Sequence, residues 1–563
     1  MKKVIPVVIA IALICVVVAV NFGGQVKEKY SYGEDLADLN AYFDINDDSE
    51  IAIILQDERI DEKAKLINDV VYIDREVCKD LLTERFYVDF NENLLLYTNA
   101  TTTIRAEIGG TTYVENGIET DAGYVLCKIS DDTVYIALDY IKKFVNFTYE
   151  FFGDPYRIQM YTEWGERTVA NITEDTNVRW RGGVKSEILT SVQKGDIVEV
   201  LEVMDDWTKI KTMDAYIGYV ENKFLSDERI DTEKVATNVP AEEYVTLNEN
   251  KKINMVWHNI ESVQDGYSLF TTCAYIKEVN VISPTWFWLN DNEGNFSSIA
   301  DASYVTASHR MGMEVWALVS NFHTGTDVDL TEVLSYTTKR EYLINGLIQE
   351  CITYGVDGIN VDFEQVPSSC GDHYIQFIRE LSLAAHKYGL VVSVDNFVPS
   401  EYTAHYNRKE QGLFVDYVII MGYDEHYAGS EVGSVSSVSW MKNGIEDTIA
   451  VVDPSKVINA IPFYTRVWMT ENGTTTSEAL DMATAKECLK KHGITTSWDE
   501  ETCQNYGETT DGGIFYQVWM EDADSIKVRL NVMDTLGIAG VAAWRLGMET
   551  RDIWNILESY MLY

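Results

Sequence analysis

The chain has 563 residues, 46% hydrophobic and 12% aromatic, with 90 acidic against 45 basic side chains and a formal net charge of −45. That composition supplies sizeable cores, and at roughly 150 residues per domain the length suggests about four domains. A field of this sign repels phosphates and anionic headgroups, which excludes nucleic acid and acidic lipid as ligands of the soluble part.

Met1, Lys2 and Lys3 precede an apolar run from Val4 to Val20 interrupted only by Pro6. The run is at the short end of a membrane span. Its leading lysines predict an uncleaved single-pass anchor over 1–24, with the lysines cytoplasmic and the bulk of the chain outside, facing the cell wall. A cleaved signal peptide is the alternative, for which Ala19-Val20-Asn21 is a poor cleavage site. One of the eight cysteines, Cys15, lies in this run, which leaves an odd number beyond it. With no Cys-x-x-Cys pair and no Cys/His cluster, neither a disulfide framework nor a metal site is expected, and no cofactor.

Residues 25–50 are acidic and aperiodic and read as a spacer. Short alternating runs at 51–55, 70–73, 86–90, 94–97, 111–114, 124–128 and 133–138, closed by a helix-like 138–147, predict a small β-rich α+β domain over 51–162. Within it, Val134-Tyr135-Ile136-Ala137-Leu138-Asp139-Tyr140-Ile141 resembles a motif of copper-amine-oxidase-N-terminal-like surface domains. Residues 35–161 contain no histidine, so the resemblance implies no copper here. Asn177-Val178-Arg179, Lys194-Gly195-Asp196, Trp207-Thr208-Lys209-Ile210 and Gly218-Tyr219-Val220 mark short strands with glycine turns. In that order they resemble a bacterial Src-homology-3-like domain, all-β, over 168–226. The polar stretch 227–250, with Pro240, reads as a linker.

From 251 to 563 strands and helices alternate, the pattern of a parallel (β/α)8 TIM barrel. Eight strands are predicted at 253–258, 279–286, 314–320, 358–364, 390–394, 417–423, 457–461 and 540–544, with an insertion at 470–508. The helix at 372–388 sets Ile375, Ile378, Leu381 and Ala385 on one face. The fourth strand carries the argument. Along Gly358-Ile359-Asn360-Val361-Asp362-Phe363-Glu364, side chains alternate between an apolar face and one bearing Asn360, Asp362 and Glu364. Polar groups at the carboxyl end of a buried parallel strand are costly unless they have a task, and barrel enzymes place their chemistry there. Two carboxyl groups that close cannot both ionise freely, so one stays protonated at neutral pH. Glu364, nearest the mouth, is the expected general acid and Asp362 its orienting partner.

Asp357-Gly358-Ile359-Asn360-Val361-Asp362-Phe363-Glu364 resembles the D-G-x-D-x-D-x-E signature of glycoside hydrolase family 18. Asn360 replaces its middle acid, as in the spore-cortex and cell-wall branch. Met421-Gly422-Tyr423-Asp424 is similar to the family's M-x-Y-D, and Ile461-Pro462-Phe463-Tyr464-Thr465-Arg466-Val467-Trp468 resembles its G-x-P-x-Y-G-R-x-W, with Ala460 and Thr465 replacing glycines. Trp544 stands where the family keeps a tryptophan under the sugar. The resemblance implies substrate-assisted retaining hydrolysis, in which the sugar's own 2-acetamido oxygen attacks. Glu364, Asp362 and Tyr423 would be catalytic, and Asn360, Asp424, Tyr464, Arg466 and Trp544 would bind substrate, without metal. The expected substrate is an N-acetylated polysaccharide, most of all peptidoglycan cut as by an N-acetylglucosaminidase. Chitin or other N-acetylglucosamine glycans are alternatives. A glycan-binding barrel without turnover is a further one, since an amide at 360 cannot share a proton with Asp362.

Overall fold

The computed structural model describes residues 13–18, 20, 29, 31–232, 239–248 and 251–562. Most of the anchor expected over 1–24 lies outside them, and among the described residues no helix is long and apolar enough to cross a membrane. The chain forms two compact units.

The first unit comprises Met1–Phe86, Ala106–Tyr113 and Glu119–Ala241. One seven-stranded sheet runs in the order Thr148–Phe152, Arg157–Tyr161, Glu50–Leu55, Glu58–Ile67, Val70–Asp74, Thr133–Ala137, Cys127–Ser130. Glu58–Ile67 was not expected as a strand. Its charged sequence is exposed or half-buried everywhere except Ala64, and backbone ladders on both sides hold it where side-chain alternation gives little sign. The expected spacer is also structured. Asp38 caps a short helix, Leu39–Phe43, whose Tyr42 and Phe43 are buried with Ala52, Ile54, Leu189 and Tyr216. One helical turn is too short to show a period. The helix expected at 138–147 is a single turn, Leu138–Ile141.

A second seven-stranded sheet follows the order Ile188–Val192, Thr176–Arg179, Ile217–Glu221, Trp207–Thr212, Ile197–Val203, Glu166–Asn171, Arg229–Thr232. It closes over Ile172, Val178, Val192, Val198, Ile210 and Val220. Gly218 is required by packing: a Cβ there would meet the Arg179 carbonyl oxygen at 2.6 Å. Arg229–Thr232, expected as the start of the linker, pairs with Glu166–Asn171 because its alternating polar sequence needs only a free sheet edge.

The second unit comprises Tyr87–Arg105, Val114–Ile118 and Glu242–Tyr563. Its centre is a closed parallel barrel of strands β1 (Ile253–His258), β2 (Val281–Leu289), β3 (Glu314–Ser320), β4 (Gly358–Asp362), β5 (Val391–Phe397), β6 (Tyr417–Met421), β7 (Val457–Pro462) and β8 (Gly540–Trp544). β1 pairs with both β8 and β2, so the barrel has no edge. Alternation sorts the side chains. Ile359, Val361 and Phe363 pack outward with Val392, Val394 and the helix residues Ile375, Ile378 and Leu381. Met255, Trp257, Leu318, Ile419 and Ala542 fill the interior.

Part of the chain expected in the 51–162 domain belongs to this unit. Asp89 Oδ2 accepts from the Thr337 backbone N–H at 2.7 Å and its hydroxyl at 2.6 Å. It thereby caps the helix Thr337–Tyr354, whose own N-cap, Tyr336, makes no side-chain cap bond. The Tyr87 hydroxyl lies 2.7 Å from His373 Nδ1, and Gln376 donates to Thr98 at 2.9 Å. The insertion after β7 is larger than expected. Five strands, from Tyr464–Glu471 to Ile514–Met520, form an antiparallel sheet beside the helix Met482–His492.

Candidate active site

Two chambers open at the carboxyl end of the barrel, of about 690 and 510 Å³. They share Glu364, Met421, Tyr423 and Asp424 as common walls. The larger is lined by Asp362 and Asp395 at its floor, by Trp257 and Trp544, and by Trp288 and His323, whose rings stack at 4.2 Å. The smaller is lined by Phe397, Pro399, Ser400, Tyr427 and Trp440 beyond Glu364. Among the described residues no lysine or arginine lines either chamber, and no cluster there could hold a metal ion.

β4 ends at Asp362, two residues short of the expected strand, so Glu364 stands on the loop just above it. A side-chain clamp replaces the ladder: Asn321 Nδ2 donates to the Glu364 carbonyl at 3.0 Å and Asn321 Oδ1 accepts the Glu364 N–H at 2.9 Å. Gln365 then turns the chain away in the left-handed region, with φ +51°. Asp362 is only 9% exposed, and its Oδ1 has no hydrogen-bond partner among the described residues. Burial, then the charges of Asp395 and Glu364, push the Asp362 carboxyl well above the usual carboxylate range. Glu364 is raised by burial and by Asp424. Asp395 is raised by burial and Glu364, against a hydrogen bond from Asn360. Three carboxyl groups in one cation-free site therefore retain protons at pH values where free ones would be ionised.

The structure gathers Asp362, Glu364, Tyr423, Asp424 and Trp544 around the larger chamber. Tyr464 stands behind Asp424, its hydroxyl donating to Asp424 Oδ1 at 2.6 Å, and its ring meets Tyr423 edge-on at 6.3 Å. Two expected ligands are placed elsewhere. Asn360 is fully buried below the chamber. Its Oδ1 accepts from Trp257 Nε1 at 2.9 Å and from Ser283 at 3.2 Å, and its Nδ2 donates to Ser393 at 3.0 Å and Asp395 at 2.9 Å. These bonds saturate the amide, which ties β1, β2, β4 and β5 together and leaves nothing for substrate. Arg466 lies on the insertion strand Tyr464–Glu471 and donates to Ser477 at 3.0 Å; it is not a wall of either chamber. Asp395, Asn321 and Trp257 were not anticipated. β5 extends to Phe397, past the expected end at 394, and the Ser393/Asp395 alternation was the signal for it.

A closed parallel barrel whose carboxyl end gathers acids, tyrosines and tryptophans into an open cleft has them where barrel enzymes place their chemistry. Residues 308–549 match the sequence model of Glycosyl hydrolases family 18, and residues 174–226 match that of the Bacterial SH3 domain. The chain thus carries a family 18 glycoside hydrolase domain together with a bacterial SH3 domain, and is a glycoside hydrolase. It is 26% identical over 307 residues to the "Uncharacterized glycosylase YvbX" of Bacillus subtilis (strain 168), covering 52% of this chain and 88% of that protein. To the "Cortical fragment-lytic enzyme" of Bacillus anthracis it is 24% identical over 250 residues, 43% of this chain and 58% of that one. In fold it resembles the spore cortex-lytic enzyme SleL of Bacillus cereus (TM-score 0.50, 21% identity, 55% of this chain and 74% of that chain). It likewise resembles a chitinase of Chromobacterium violaceum ATCC 12472 (TM-score 0.50, 20% identity, 55% and 99%).

Proposed function

We propose that the protein is a cell-surface N-acetylglucosaminidase that cuts peptidoglycan by substrate-assisted, retaining hydrolysis. The observation that carries this reading is the buried trio of raised-pKa acids beside Tyr423 and Trp544, with Asp362 beneath Glu364 rather than facing it. Trp544 stacks under the N-acetylglucosamine whose bond is cut. Glu364 gives its proton to the glycosidic oxygen as the acetamido oxygen attacks C1, forming an oxazolinium ion and freeing the leaving sugar. Asp362 accepts the acetamido N–H and balances the positive charge, while the Tyr423 hydroxyl donates to the acetamido oxygen. Glu364, now a carboxylate, takes a proton from the water that opens the ion and is restored. Asp424, positioned by Tyr464, binds a hydroxyl group.

The two chambers sharing Glu364 support a through-going cleft, with the larger chamber holding the sugars on the Trp544 side and the smaller the leaving side. The lysine-flanked run from Val4 to Val20 holds the chain in the membrane, and the SH3 domain keeps the barrel near the wall. Incubating the full chain with purified peptidoglycan and with N-acetylglucosamine oligomers, and reading new reducing ends by mass, tests the proposal. Release from peptidoglycan that Glu364→Gln abolishes is expected. Binding without release from either substrate would refute it.

A further inference from the structure

A carboxylate that must be ionised while it receives an acetamido N–H needs a place for the proton it otherwise holds. β4 offers none below Asp362. An amide at 360 keeps both its protons at every pH, and its orientation is fixed, because the Trp257 indole N–H can only donate and so must face Oδ1. The Asn360 N–H2 group therefore points at β5. There Val394 pairs with Val361, so the next residues on, Asp395 and Asp362, lie side by side on strands about 4.8 Å apart, both facing inward. Asn360 Nδ2 donates to Asp395 Oδ1 at 2.9 Å, which leaves the other Asp395 oxygen for its neighbour. Asp362 Oδ1 is buried with no hydrogen-bond partner among the described residues.

We propose that Asp395 is a positioning residue: it shares one proton with Asp362, supplying from β5 the second carboxyl group that Asn360 cannot supply from β4. The inference rests on the substrate-assisted reading above. When the acetamido N–H arrives, the O–H bond on Asp362 breaks and one forms on Asp395, and the negative charge passes from Asp395 to Asp362. After hydrolysis the proton returns. The titratable groups facing Asp395 are Asp362 and Glu364 on and above β4, Tyr423 above β6, and Tyr374 on the helix Gly371–His386. No lysine or arginine among the described residues lines the chamber to hold the pair fully ionised.

The test exchanges acid and amide. D395N should lower kcat on N-acetylglucosamine oligomers by about 100-fold or more, the lower end of the range for a lost proton-transfer partner, with KM within about twofold. Losing a like charge, it should also move the alkaline limb of the pH profile to lower pH. The double variant N360D/D395N keeps the hydrogen bond with its ends reversed, and should recover at least about tenfold of the lost kcat and return the limb towards wild type. Full-length protein labelled with carboxyl-13C aspartate needs no substitution: residues 362 and 395 should titrate together in two steps by NMR. D395N with a wild-type pH profile, a folded double variant no better than D395N, or a single ordinary-range titration of Asp395 each overturns the inference and leaves the hydrolase reading standing. A wild-type protein that cleaves nothing, or an E364Q that still cleaves, overturns both.

Discussion

Two groups of buried acid within the barrel unit differ in what surrounds them. Glu521, fully buried at the end of the insertion, accepts from Gln504 at 2.7 Å, Arg529 at 2.8 Å and Ser525 at 2.9 Å. Burial still pushes it up to about 7 against the pull of Arg529, yet both its oxygens are bonded. Asp362, also buried, has an oxygen without a hydrogen-bond partner among the described residues and two other acids for neighbours. The first arrangement spends its polar groups on fixing the insertion strand to the helix Ala523–Leu536. The second holds polar capacity in reserve beside an open chamber, which is what a site awaiting a ligand requires.

The sharpest way to break this contrast is to neutralise one acid in each group. Glu364→Gln should lower kcat by about 10²–10⁴-fold, the range for loss of a general acid, while leaving the unfolding midpoint unchanged or higher. Initial rates on N-acetylglucosamine oligomers, with urea unfolding of the same sample, measure both. Arg529→Met should do the reverse. It leaves Glu521 buried beside an apolar group, at a cost of about 3–5 kcal/mol at pH 8, and of less at pH 5, where the carboxyl is protonated. Equal destabilisation at both pH values would show that Arg529 acts by packing.

A smaller effect follows from linkage. Asp362 and Asp395 have folded-state pKa values raised above the unfolded value of about 4. Their stabilising contribution is therefore complete below about pH 4 and is lost as pH rises through the folded values. Urea midpoints should fall from acid towards neutral pH more steeply in wild type than in Asp362→Asn. Parallel curves would mean that these acids are not protonated in the folded state.

How much of this was legible without coordinates follows from the range of the forces involved. The alternation of Ile359, Val361 and Phe363 with Asn360 and Asp362 is a property of one strand, so the outward and inward faces of β4 could be read directly. The eight strands could be counted for the same reason. What could not be read depends on pairs distant in sequence. Asn360 looked like a ligand because Asp362 and Glu364 follow it on the same face, whereas its four partners come from β1, β2 and β5. Asp395 was hidden because the expected β5 stopped at 394, three residues short of Phe397. Arg466 carried a recognisable motif but follows the insertion sheet, whose strands begin at Tyr464 rather than at 470. The capture of Tyr87–Arg105 by the barrel unit rests on Asp89 finding an uncapped helix 248 residues away, for which the local sequence has no marker.

The mildest test separates the two chambers. Trp440 is half-buried at the start of the helix Val438–Ile449 and lines only the smaller one, across Glu364 from Trp544. If that chamber holds the leaving sugar, Trp440→Ala removes a stacking surface of roughly 1 kcal/mol, equivalent to about a fivefold rise in KM for a long oligomer. A short substrate with a nitrophenyl leaving group places no sugar there, and its kinetics should change by less than about twofold. Trp440 also packs against the helix layer, so a general loosening of the barrel is the competing explanation. Loosening would lower rates on both substrates together, whereas a binding role separates them, because only the long oligomer reaches across Glu364.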